Sequence, residues 1–225
     1  MEAANKEGLW VDPLLTRPKH VAVVALGPSC KAVIAESMST PGMKNPFDEV
    51  WTLNRGLRGF MHDKLFLMDD LRWLEKHDKT YARWVRKHNK PTMVSTVYHD
   101  YPNAVAYPLH EVMEYIKDDI FTQNTVSYMI AYAMYIEVER LSVYGADFVY
   151  PNGNFAEKGG MAVAYLLGMC QEKGIKFRLP AETTMLYANT VKMAGSELTR
   201  VHYGYHRKDQ MRKEKQRGIK SRKGA

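Results

Sequence analysis

The residues of this chain that can do chemistry fall where its apolar runs break. The first break is Gly27-Pro28-Ser29, directly after the unbroken run Val21 to Leu26. Gly27 permits close backbone approach. Pro28 presets a first helical turn, where its missing N–H is no loss, and Ser29 and Cys30 open the helix. Free N–H groups and the helix dipole at such a joint attract anions, so the turn is a candidate phosphate site. The alternative is a plain strand–turn–helix joint. The turn lacks the three glycines of a dinucleotide fingerprint and the Gly-Lys-Ser/Thr of a P-loop, which disfavours NAD and P-loop ATP chemistry. Polar groups stand at the later breaks too: Asn54-Arg55, Asp69-Asp70, Ser95-Thr96, Asp147 and Glu182-Thr183. Asp69 and Asp70 suit Mg²⁺ or Mn²⁺ on a diphosphate. They equally suit a helix cap followed by a first-turn acid.

The elements that must position these groups alternate. Strands are expected at 20–26, 48–53, 64–68, 91–96, 141–144 and 175–179, with a further short one at 104–107. Helices are expected over 29–38, 71–88, 124–138 and 161–173, with shorter helical pieces at 57–62 and 109–115. The most secure is 124–138, where Asn124 or Thr125 caps the start and Val126, Met129, Ile130 and Ala133 recur with helical spacing. The stretch 150–160 reads as a polar loop. Strands alternating with helices predict an α/β fold, a Rossmann-like, mostly parallel sheet covered on both faces. In such sheets ligands bind beyond the carboxyl ends of the strands, where strand order reverses.

The chain has 225 residues, which suits one domain over 20–205 between a lead-in, 1–19, and a basic tail, 206–225. Two cysteines, Cys30 and Cys170, match no zinc spacing. No run is long enough to span a membrane, and the polar start shows no signal peptide, so a cytoplasmic location is expected. The net charge of +7 is unevenly placed: residues 206–225 hold nine Lys/Arg against two acids, and the rest balances 23 against 23. Arg207, Lys208, Arg212, Lys213, Lys215, Arg217, Lys220, Arg222 and Lys223 therefore form a candidate nucleic-acid arm, with DNA the expected partner.

Four stretches taken in order resemble a family: VALGPS, LNRG, NTVSYMIAYAMYIEVERLSVYGADF and the later GI-strand-P-x-E-T. They look like the Rossmann-like proteins that include 6-hydroxymethylpterin pyrophosphokinase-like enzymes and bacterial CMP-sialic-acid sialyltransferases. Small bacteriophage proteins are similar through EKGGMAVAYLLGMCQEKGI. The resemblance spans roughly residues 20–187. By position it implies that Gly27, Pro28, Ser29, Asn54, Thr125, Ser127 and Asp147 line a nucleotide pocket, with Arg55 beside Asn54. Sialyltransferases of this kind carry a histidine base after the Gly-x-Asp turn. Here that segment, FVYPNGNFAEKGGM, has none. Glu157, Asp147, Asp69, Asp70 or Asp100 are then the candidate bases, and His99 is the one nearby histidine.

The function expected from these pieces is sugar transfer from a nucleotide-sugar donor, with hydroxymethylated bases of phage DNA as the acceptor suggested by the tail. The alternatives are diphosphoryl transfer from ATP, as in the pterin enzymes, and a non-catalytic nucleic-acid-binding protein on a degenerate Rossmann core.

Overall fold

Each apolar run finds a neighbour running the same way. The computed structural model describes residues 17–39, 45–149, 153–186, 190–191 and 199–200. Seven strands form one sheet: β1 His20–Val24, β2 Glu49–Leu53, β3 Lys64–Leu67, β4 Thr92–Val94, β5 Ala104–Ala106, β6 Arg140–Tyr144 and β7 Lys176–Arg178. Their order is β5-β4-β3-β2-β1-β6-β7, and every pairing is parallel. The order reverses between β1 and β6. A separate antiparallel pair joins β8 Thr190–Val191 to β9 Thr199–Arg200. The expected doubly covered parallel sheet is thus present, and the short strand at 104 belongs to it. The tail 206–225 and most of the lead-in 1–19 lie outside the described residues.

The helices are α1 Ala32–Ser39, α2 Leu71–His77, α3 Lys79–Lys87, α4 Leu109–Ile116, α5 Thr125–Tyr135 and α6 Gly153–Glu172. Alternation along the strands sorts them onto two faces. Val21 and Val23 of β1 pack with Met129, Ile130 and Ala133 of α5 and Val163 and Leu166 of α6. Ala22 and Val24, one residue out of step, pack with Val33 of α1 and Tyr144. Further along that face, Leu67 and Val94 meet Leu71 and Leu74 of α2 and Tyr81 and Val85 of α3. Each large side chain buried in this way contributes about 1.5–3 kcal/mol.

Two helices differ from expectation. The run 71–88 is two helices, because Asp78 interrupts it with φ −144°. Its carboxylate accepts the Tyr81 N–H at 3.0 Å and caps α3, while its own N–H closes α2 on the Leu74 carbonyl. A side chain that bonds locally offers the backbone an alternative to continuing the helix. In the second case α6 begins at Gly153, eight residues before the expected Met161, so the polar stretch is largely helix. Gly159 is there for packing. A Cβ on it would stand 2.6 Å from the Phe148 ring.

An ion pair is buried in the core between β2 and β3. The Lys64 ammonium donates to Glu49 Oε2 at 3.0 Å, and Trp51 Nε1 donates to the same oxygen at 2.6 Å. Only 3% of the Lys64 side chain is exposed. The ammonium also lies 4.9 Å from the Trp51 ring. Removing one partner of such a pair strands the other charge in a medium that solvates it poorly. Lys64→Met is expected to lower the unfolding free energy by about 3–5 kcal/mol. The double variant Lys64→Met/Glu49→Leu should recover most of that loss. Urea denaturation of the two variants checks both statements.

Candidate functional site

The crevice between β1 and β6 is built by a reciprocal clasp. After β1 the chain turns through Gly27 into a 3-10 turn, Pro28–Lys31, that leads into α1. After β6 it turns at Gly145, whose φ of +71° favours glycine. The Gly27 N–H donates to the Gly145 carbonyl at 2.8 Å. The Gly145 N–H donates to Ser29 Oγ at 2.9 Å, and the Ser29 N–H donates to Asp147 Oδ2 at 2.7 Å. Ser29 and Asp147 are both buried. A Cβ on Gly27 would lie 2.5 Å from the Gly145 carbonyl oxygen and 2.6 Å from the Asp147 carboxylate. The two turns are therefore in contact with no room between them.

In this arrangement the donors of the turn expected to hold a phosphate are engaged within the protein. Pro28 has no N–H, and the Cys30 N–H donates to the Gly27 carbonyl. With Gly27 and Ser29 also paired, the turn presents no spare backbone donor. Asp147 already supplies the anion that a phosphate was expected to be. Its charge also pushes the Cys30 thiol pKa up, second to burial.

Around the clasp stand the helix starts. Asn124 Oδ1 caps α5 by accepting the Ser127 N–H at 3.0 Å. Phe148, in the left-handed region at φ +50°, packs on Gly159 and Gly160 of α6. Thr184 Oγ1 donates to the Asp147 carbonyl, and Thr183 is buried beside it in sequence. Asn54 follows β2, next to β1 in the sheet, and holds a left-handed φ of +44°. Three side-chain atoms of this region are buried and have no hydrogen-bond partner among the described residues: Asn54 Oδ1, Ser127 Oγ and Asp147 Oδ1. Glu157 lies exposed on α6, four residues after its start.

The remaining expected residues gather elsewhere on the same edge. Strands lie about 4.8 Å apart, so the ends of β3 and β6 are separated by about 14 Å. Asp69 is exposed after β3. Asp70 caps α2, with Oδ1 accepting the Trp73 N–H at 2.8 Å and Oδ2 accepting the Tyr98 hydroxyl at 2.9 Å. Both oxygens are thus engaged, and no group of three His, Cys, Asp or Glu fit to hold a metal occurs among the described residues. The cap of α2 is thus Asp70 itself, one residue later than a cap at Asp69 followed by a first-turn acid at Asp70, and no acid stands in the first turn. Arg55 is likewise committed, pairing with Asp78 at 2.5 Å. Asp100 takes two bonds from Arg72, at 2.8 and 3.1 Å, and one from Arg86 at 2.9 Å. Arg72 above all holds the Asp100 carboxyl down to about 2. That leaves Asp100 a poor base. His99 is exposed in the same loop.

Sequence reasoning missed Phe148, Gly159 and Thr184. The Gly159-Gly160 pair was the available signal, since two glycines inside a helix ask for a close neighbour.

No family model matches this sequence, and no curated protein matches it. Among solved structures, the chain is similar to the sialyltransferase CstII from Campylobacter jejuni in complex with the substrate analogue cytidine-5'-monophosphate. The identity is 16% and the TM-score 0.48, over 82% of this chain and 91% of that one. A second structure of CstII, in complex with CMP-3FNeuAc, aligns at 17% identity and TM-score 0.46 over the same shares.

The clasp predicts that Gly27→Ala is not tolerated as a surface change. Its methyl group meets a backbone carbonyl, which cannot swing aside as a flexible side chain would. A loss of about 1–3 kcal/mol is expected, the usual cost of overpacking. Chemical denaturation beside Gly168→Ala, where a Cβ meets nothing within 4 Å, measures it.

Proposed function

We propose that this chain transfers a sugar from a nucleotide-sugar donor to a hydroxyl acceptor, with the donor seated at the β1–β6 crevice. The observation that carries the reading is the set of buried, unpartnered atoms Asn54 Oδ1, Ser127 Oγ and Asp147 Oδ1 at the crevice. Leaving a buried polar atom unpaired costs about 1–3 kcal/mol, and more for a charged one. A ligand rich in hydroxyl and amino donors satisfies all three, and the ribose and sugar of a nucleotide sugar are such a ligand. The position at the reversal of strand order agrees with this.

Because the N–H groups of the 27–30 turn are paired, the reading seats the donor's phosphate away from Asp147. We assign it to the positive end of α5, at Thr125, where the dipole favours an anion. Gly27, Pro28 and Ser29 then form the floor of the pocket, and Asp147 positions the donor. In the transfer step the acceptor oxygen attacks the anomeric carbon. Its proton goes to the Glu157 carboxylate, and the bond from the anomeric carbon to the phosphate oxygen breaks, its electron pair leaving with the nucleotide. Base assistance of this kind is worth about 10²–10⁴-fold. Asp70 serves as the cap of α2, and the step is written without a metal. Asp69 follows β3 and His99 follows β4, two and three strands from β1, so Glu157 on α6 is the base assigned here.

Calorimetric titration with a panel of nucleotides and nucleotide sugars tests the pocket. At least one is expected to bind, and Ser127→Ala and Asp147→Asn should weaken it about tenfold or more, in line with the loss of one hydrogen bond to a buried group. Glu157→Gln should bind the same ligand normally and turn over about 10²–10⁴-fold more slowly. Binding that ignores both crevice variants sinks the assignment.

The acceptor we propose is nucleic acid, a hydroxymethylated base of DNA, brought to the crevice by the nine Lys/Arg of 206–225. Phosphate contacts release counterions, so affinity should fall steeply with salt and depend little on sequence. A chain lacking 206–225 is expected to bind duplex DNA more weakly and with a flatter salt slope. An unchanged slope removes nucleic acid as the acceptor.

A further inference from the structure

The edge of the sheet opposite the crevice carries a second arrangement that the transfer reaction does not use. His62 lies two residues before β3, and His88 caps the end of α3 where the turn into β4 begins. The register that pairs Leu65 with Thr92 sets these approaches side by side. The two imidazoles stack with ring centroids 4.9 Å apart and bring Nε2 to Nε2 at 2.9 Å. Each ring is tied at its other nitrogen. His62 Nδ1 stands 2.8 Å from the Phe60 carbonyl, and His88 Nδ1 stands 3.0 Å from Thr92 Oγ1. Both face a cavity of about 380 Å³ whose lining includes Asn45, Asp63, Asn89 and Lys90.

The partners decide the protons. A carbonyl only accepts, so His62 carries its hydrogen on Nδ1 and its lone pair on Nε2. His88 then donates from Nε2 to that lone pair and accepts from the Thr92 hydroxyl. The alternative tautomer of His88 is equally provided for. Thr92 Oγ1 also reaches the Lys90 carbonyl at 3.4 Å, so it can donate there while accepting from His88 Nδ1–H. In that state both Nε2 lone pairs point into the same space. Two imidazoles with converging Nε2 atoms, each anchored through Nδ1 to an oxygen, are the pattern that metal-binding histidines show.

We propose that His62 and His88 form a two-imidazole site for a divalent transition ion of borderline softness, such as Zn²⁺. Tetrahedral coordination with bonds of about 2.0–2.1 Å sets the two nitrogens about 3.3 Å apart, a few tenths of an ångström wider than they stand. No third His, Cys, Asp or Glu completes a set among the described residues, so water or an external ligand fills the remaining positions. Asp63 spends Oδ2 on the Val50 N–H at 2.8 Å. The bound ion joins the β2–β3 connection to the α3–β4 turn. It acts at the far edge from the crevice, as a staple of the sheet.

The test uses the full chain, freed of metal by chelator and titrated with Zn²⁺. Long-range ¹H–¹⁵N spectra of the wild-type imidazoles are expected to show the Nε2 signals of His62 and His88 moving together, with both Nδ1 atoms protonated at saturation. His62→Ala and His88→Gln should each weaken Zn²⁺ binding at least about tenfold and reduce the Zn²⁺-dependent rise in melting temperature. The spectra of the unaltered protein decide the matter even if a variant fails to fold. Zn²⁺ that leaves those two imidazoles unmoved, that binds both variants as tightly as wild type, or that does not bind below millimolar concentration overturns the proposal.

Discussion

The interaction on which the rest of the crevice depends is the hydrogen bond from the Ser29 N–H to the Asp147 carboxylate, with its return bond from Gly145 to Ser29 Oγ. It joins the ends of the two strands between which strand order reverses. It adds a side-chain tie to the backbone bonds Ala25 N–H to Tyr144 carbonyl and Gly27 N–H to Gly145 carbonyl that carry the β1–β6 pairing past the strands. The clasp also explains why two glycines face each other there. Gly27 and Gly145 bring backbone against backbone, and a side chain on either would force the turns apart. The same clasp buries the Asp147 carboxylate between the two strand ends, where the Ser29 N–H holds it.

The rest of the polar edge divides by what each group is already doing. Asp70, Asp78 and Asp100 are all engaged by N–H groups, by Tyr98 or by arginines. They brace α2, α3 and the loop after β4 against one another. Buried side-chain atoms without a partner among the described residues include Asn54 Oδ1, Ser127 Oγ and Asp147 Oδ1, and also Tyr81 Oη on α3. The Asp70 and Asp100 carboxylates stabilise the scaffold, and Tyr98, Arg72 and Arg86 reach them from neighbouring elements of the sheet edge rather than from adjacent sequence.

Much of the fold was legible because buried parallel strands are short apolar runs with abrupt polar ends. Val21 to Leu26 could hardly be anything else. The Asp78 break was not legible, since Leu71, Leu74, Tyr81 and Val85 keep a passable helical spacing across it, and one cap decides the matter. The start of α6 was hidden by its glycines, which serve the Phe148 ring rather than a turn. Ser29 and Asp147 were each visible as site residues. Their mutual bond was not, because 118 positions separate them and only the β1–β6 pairing unites them. The same is true of His62 and His88, which meet solely through the β3–β4 register.

The outermost strands have a consequence for how the molecule lives in a crowded solution. A parallel sheet ends in two rows of unsatisfied backbone groups, and a second copy can extend it there. Both boundary strands, β5 and β7, are only three residues long. β7 points Lys176 and Arg178 outward on alternate positions of its short run, with Arg178 tethered to Glu36 at 2.7 Å. A foreign strand arriving at that boundary meets two cations and little length on which to register. Short boundary strands bearing cations are a device by which open sheets discourage strand-to-strand polymerisation.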